Sequence, residues 1–217
     1  MEGHTLSIPT DPLNRTMRSL RHLVIAAAIA ILLAESARGG TVLTLSDFSS
    51  DETSPAVLDA SLDFLVQGDM LHVTVTNETP ATGGYDIDAV YFNAGPGVDG
   101  LELMTPVDGW SLATSQRADG FGTFDFALET AGANDPFEIA PQESVTFQLH
   151  VDSAVFVGEA AFTTDMSSIP PGSRSVVAAA KFTNGPGDDS AFGAVIPEPG
   201  TLALLAVGLL AAIRRRT

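Results

Sequence analysis

The stretch Ser61-Leu-Asp-Phe-Leu-Val-Gln67-Gly68-Asp69-Met70-Leu-His-Val-Thr-Val-Thr76 decides the fold. Leu62, Phe64 and Val66 alternate with Ser61, Asp63 and Leu65. Beyond the break, Leu71, Val73 and Val75 alternate with Met70, His72, Thr74 and Thr76. A period of two places successive side chains on opposite faces of an extended chain. Two such runs joined by a Gly-containing turn predict a β-hairpin with one dry face and one wet face.

The same beat returns outward from the hairpin. Phe124, Phe126 and Leu128 carry it, as do Val145, Phe147, Leu149 and Val151. Weaker strands are expected at 42–45, 87–93, 101–104, 110–114 and 176–183. Thr82-Gly83-Gly84, Gly95-Pro96-Gly97, Asp119-Gly120 and Asn184-Gly185-Pro186-Gly187 punctuate them as turns. Eight to ten short strands without a helical pattern between them predict an all-β chain, a single antiparallel β-sandwich of jelly-roll or Ig-like kind. An up-and-down barrel is the alternative. The expected organisation is a lead-in at 1–16, a signal peptide at 17–39, the sandwich at 40–192, a linker at 193–200, and a helix with a basic tip at 201–217.

Charge is distributed unevenly over the 217 residues, whose formal net charge is −17. Seven of the ten basic residues lie near the ends; between Gly40 and Ile196 only Arg117, Arg174 and Lys181 face 23 Asp and Glu, a net −20. So acidic a domain repels nucleic acid and anionic lipid, and no nucleic-acid partner is expected. The absence of cysteine excludes a disulfide framework, a thiolate metal site and a cysteine nucleophile.

Both ends read as transport signals. From Met17, the more natural initiator, Arg18, Arg21 and His22 precede twelve unbroken apolar residues, Leu23 to Ala34, and small residues follow. That order is the pattern of a secretory signal peptide. At the other end Pro197, Glu198, Pro199 and Gly200 precede thirteen residues, 201–213, and then Arg214, Arg215 and Arg216. Thirteen residues make a helix of about 20 Å, short of the roughly 30 Å hydrocarbon core. Three arginines hold such a tip on the cytoplasmic side, so the domain faces outward.

Pro-Glu-Pro, a short apolar run and an arginine cluster, in that order on an exported chain, resemble the PEP-CTERM sorting signal of Gram-negative bacteria. The resemblance rests on residues 195–217. It implies that the tail crosses the inner membrane transiently and is cut by an integral-membrane exosortase, a thiol-dependent transpeptidase-like enzyme. It also implies export, a membrane-anchored precursor, and a cell-surface or extracellular product linked to exopolysaccharide and biofilm. The body from 58 to 194 is similar to that of many PEP-CTERM proteins, with its early hairpin, Val90-Tyr91-Phe92, and Ala179-Ala180-Lys181-Phe182-Thr183-Asn184-Gly185. That similarity implies fold more than activity.

Catalytic signals are sparse. Beyond the leader only His72 and His150 remain, both on the wet face by alternation, and neither a Gly-x-Ser-x-Gly elbow nor a His-Glu-x-x-His helix occurs. Asp86 and Asp88 share a strand face if 85–93 is extended, but such a pair needs a cleft to do acid–base work. No catalytic residue is expected. Calcium is the one cofactor entertained, with Asn184, Asp188 and Asp189 as candidate ligands, since Asx side chains on a Gly-rich loop supply hard oxygens. Turn chemistry explains the same residues without an ion. Asn93 and Asp99 flank a second such loop, and Asn77-Glu78-Thr79 is read as a strand end before Pro80 rather than a glycosylation site. The expectation is a non-enzymatic surface or matrix protein, structural or adhesive in association with extracellular polysaccharide. A secreted carbohydrate-binding or carbohydrate-active sandwich is the alternative, and a permanently anchored membrane protein a third reading.

Overall fold

Gly68 adopts a positive φ of 68°, which the first central position of a tight two-residue hairpin turn requires and glycine supplies without steric cost. In the computed structural model, which describes residues 40–45, 58–82, 84–132, 135–155, 157–168, 174–185 and 189–195, this turn joins β2 (Ala60–Gln67) to β3 (Met70–Asn77). Gln67 lies opposite Met70 and Ala60 opposite Asn77, so the register never slips. Leu62, Phe64, Leu71, Val73 and Val75 are fully buried, while His72, Thr74 and Thr76 are only partly so.

The remaining strands are β1 (Thr41–Leu45), β4 (Asp86–Phe92), β5 (Gly100–Leu103), β6 (Ser111–Ala118), β7 (Gly122–Glu129), β8 (Ser144–Asp152), β9 (Ala178–Gly185) and β10 (Asp189–Ala194). They form two five-stranded sheets, ordered β1-β2-β3-β8-β5 and β10-β9-β4-β7-β6. Every pairing is antiparallel. The chain is an antiparallel sandwich, not a closed barrel. One short helix, α1 (Ala160–Thr163), lies between β8 and β9 and buries Phe162.

The core lies between the sheets. Phe64 meets Phe92 edge-on at 5.5 Å and stacks on Phe162 at 6.3 Å, and Trp110 meets Phe147 at 5.1 Å. Each large apolar side chain so buried contributes about 1.5–3 kcal/mol. A polar staple closes one end: Asn77 Nδ2 donates to the carbonyls of Tyr85 and Ile139, and Asn77 Oδ1 accepts from the Thr79 N–H. Asn77 is fully buried, so its amide is taken up inside the fold.

Sequence and structure part at β10. Gly193 and Ala194, read as the opening of a linker, instead pair with Ala180 and Ala179. Phe192 sits opposite Lys181 in the same ladder. Alternation is interrupted by a register shift between Asp189 and Ala191, which hides the strand from a period-two search. Gly185 at the end of β9 packs so close to the Tyr85 ring that a Cβ there would strike it.

Candidate functional site

Of the residues singled out in the tail, Pro197, Glu198, Pro199, Gly200, Arg214, Arg215 and Arg216 lie outside the described residues, as does the leader at 17–39 and the loop residue Asp188. The fold reaches Val195, which is 8% exposed and donates its N–H to the Ala178 carbonyl at 3.1 Å. The tail motif therefore begins on the last described residue that packs against the sandwich, beside edge strand β10. Among the described residues, no helix is long and apolar enough to cross a membrane.

The outer faces of the two sheets differ. On the first sheet Thr74 and Thr146 pair through their hydroxyls at 3.0 Å, and Thr105 donates to the Gln148 amide oxygen at 3.3 Å. His72 lies opposite Gln148 on this half-wet face, and His150 Nε2 lies 3.5 Å from the exposed Asp69 carboxylate. Over β4, β9 and much of β7 the second sheet buries its outer face, while β6 stays largely open. Ala89, Tyr91, Phe121, Phe124, Ala127, Val176 and Ala179 form a second apolar cluster there. Ser167 fastens its cover: its hydroxyl donates to the Phe121 carbonyl and accepts from the Val176 N–H.

Charges enter this covered face through a bulge in β4. Ile87 opposes Phe182 and Ala89 opposes Lys181, so Asp88 is the extra residue. A bulge turns two consecutive residues of one strand toward one residue of its neighbour, and here it aims Asp88 at Lys181. Lys181 Nζ donates to Asp88 Oδ2 at 2.5 Å. The Asp88 side chain is 3% exposed and that of Lys181 28%. Asp88 Oδ1 is buried and accepts nothing from another residue among those described. Glu129 lies opposite Ala89 on the other flank, in β7. Lys181 and Glu129 thus bracket the bulge across three adjacent strands.

Asp86, two residues back along β4, is held differently. Its Oδ2 accepts from Asn184 Nδ2 at 2.8 Å, and the same amide donates to Glu138 Oε2 at 2.5 Å. One amide between two carboxylates offsets part of their mutual repulsion. Asn184 holds a positive φ of 58° to do so. Asp189 opens β10 opposite Gly185. Among the described residues, no group of three or more His, Asp or Glu side chains is placed to hold a metal ion. At the other Gly-rich loop, Asn93 is buried, accepts from the Asp125 N–H and donates to the Asp165 carbonyl, while Asp99 is exposed.

Burial dominates the electrostatics. It pushes the Asp88 carboxyl up, against the lowering influence of Lys181. Burial also raises Glu129, and the Asp88 charge adds to the rise. Glu138 is raised by burial, then by Asp88 and Asp86. Desolvation, with Asp88 and Glu129 nearby, lifts the Tyr91 phenol far above its ordinary value of 10. Two of these carboxyls, Asp88 and Glu129, lie within electrostatic reach of Lys181, the sole lysine in the chain.

Sequence reasoning weighed Asp86 with Asp88 and missed Lys181, Glu129 and Glu138 as their neighbours. The signal for Lys181 was present: one charge inside the apolar run from Val176 to Phe182. Nothing local marks Glu129 or Glu138.

No curated protein and no solved structure matches the chain. Residues 195–216 match a family model described as the PEP-CTERM protein-sorting motif. The match starts at Val195, where the described sandwich ends. This protein is therefore an acidic β-sandwich carrying a PEP-CTERM sorting motif, the mark of an exported, exosortase-sorted protein of the cell surface or extracellular space.

Proposed function

We propose that the sandwich is the delivered cargo of this sorting motif and acts as a non-enzymatic structural or adhesive protein among extracellular polysaccharide. The observation that carries this reading is the junction at Val195. It is both the last described residue packed on the fold and the first residue of the motif. A cut within the tail therefore leaves the β-domain whole. The precursor is held in the inner membrane until exosortase acts, and the product faces outward.

The outer face of the first sheet suits contact with sugars. Its Thr74, Thr146, Gln148 and His72 present hydroxyl, amide and imidazole groups in cross-strand rows. Such groups exchange hydrogen bonds with polyols as readily as with water. High negative charge keeps neighbouring copies apart and favours neutral or cation-bridged glycans.

Intact mass of the native protein from its producing cells tests the sorting step. Mature material lacking Arg214–Arg216 is expected, and material retaining them would sink the reading. Co-sedimentation of the domain with the producing cell's own polysaccharide tests the adhesive role. Binding there without turnover is expected. Turnover of a glycan, lost on changing one carboxylate, would favour the carbohydrate-active alternative.

A further inference from the structure

Lys181 is the sole lysine in the chain, and its position is unusual. The bulge at Asp88 and the register of three strands converge on its amine. We infer that Lys181 Nζ and Asp88 Cγ condense after folding into an intramolecular isopeptide bond that ties β9 to β4, with the Glu129 carboxyl as the proton-transfer group. The reacting groups are already in contact at 2.5 Å. Held reactants of this kind gain an effective concentration of about 10⁵–10⁸ M over free ones.

The surroundings favour the neutral carboxyl that amide formation needs. Asp88 is nearly sealed from water, and burial disfavours its carboxylate. The lysine's proton passes to Asp88 across their hydrogen bond, leaving a free amine beside a carboxylic acid. The nitrogen lone pair attacks Cγ and an N–C bond forms. The C–OH bond of the acid then breaks. Glu129 gives its proton to the departing hydroxyl, which leaves as water, and recovers one from the nitrogen. The sum is amine plus acid to amide plus water; nothing is oxidised or reduced, and Glu129 is regenerated. Burial keeps Glu129 protonated more readily than an exposed glutamate, as a proton donor requires.

The location gives the bond a use. β10 leads into the sorting tail and pairs with β9 alone, at the edge of its sheet. Load applied through the tail reaches the sandwich by way of β9. A covalent tie from β9 to β4 passes that load to the strand between β9 and β7. Without cysteine, the chain has no disulfide to do this. The inference is independent of the proposed function, since it concerns the folded domain whatever it binds.

The test uses the folded full-length chain, unfolded in denaturant with an amine-reactive label and digested with trypsin. The peptides bearing Asp88 and Lys181 are expected as one joined species, lighter by one water than their sum. Cleavage after Lys181 and labelling of its amine are both expected to be lost. Two separate peptides, with Lys181 labelled, would overturn the inference. Glu129→Gln keeps the Lys181–Asp88 contact and removes the proton donor. Its Lys181 is expected to remain labelled while circular dichroism matches the wild type. Full cross-linking in that variant would overturn the role of Glu129. The wild-type digest decides the bond itself even if the variant does not fold.

Discussion

The outer faces of the two sheets end in opposite environments. β3 and β8 alternate strictly, with buried Val73 and Phe147 between wet Thr74 and Thr146. In β4 every residue after Asp86 is buried, and in β9 all but Lys181 and Asn184 are. The difference is written partly in the strands, since β4 and β9 carry apolar runs where β3 and β8 alternate. Residues 165–168 and 174–177 add a cover, their backbone and Ser167 lying against the β6–β7 end of the second sheet. A covered face accepts small apolar residues and makes any charge there depend on a partner. An open face tolerates polar groups freely.

Equivalent substitutions on the two faces test this contrast most strongly. Ala127→Asp places an unpaired carboxylate on the covered face and is expected to cost about 5 kcal/mol, enough to unfold the domain. Thr146→Asp on the open face is expected to shift stability by no more than about 0.5 kcal/mol. Urea unfolding of the two variants is the measurement, and equal effects would abolish the distinction. Next in size is the staple at the sandwich end. Asn77→Ala leaves the Tyr85 and Ile139 carbonyls without their donor, which is expected to cost about 2–3 kcal/mol by the same assay.

A smaller effect should appear with pH. Glu129 and Glu138 are both raised above their ordinary 4.5. A carboxyl raised in the folded state is held more easily as the neutral acid there. Its stabilising contribution is complete below the unfolded value and is lost as pH rises through the folded value. Melting temperature is therefore expected to climb as pH is lowered from neutral into the weakly acidic range. Calorimetry of a Glu129→Gln/Glu138→Gln double variant should show a flatter profile. Smallest of all is His150→Gln on the open face. Its 3.5 Å pair with Asp69 is solvent-exposed, so a change below about 0.5 kcal/mol is expected by thermal melting.

The open face was legible because its information is local. Leu71, Val73 and Val75 against His72, Thr74 and Thr76 need only one short stretch to be assigned, and Gly68 marks the turn between its partners. β10 was not legible, since its register shift breaks the beat and Gly193 resembles linker. The charged cluster was half legible. Asp86 and Asp88 stood out as a pair, but their partners Asn184 and Lys181 lie 98 and 93 residues away.

The sandwich, the acidity and the sorting motif follow from order along the chain. Alternation, composition and the tail order of residues 195–216 are properties of neighbours along the chain. Folding was needed to set how far the second sheet is covered, where Val195 hands over from the fold, and that the sole lysine meets Asp88. Those outcomes depend on a bulge that re-aims one side chain, on strand order, and on loops laid over a face from afar. No local pattern encodes them, because each is a contact between segments that the chain brings together only by folding.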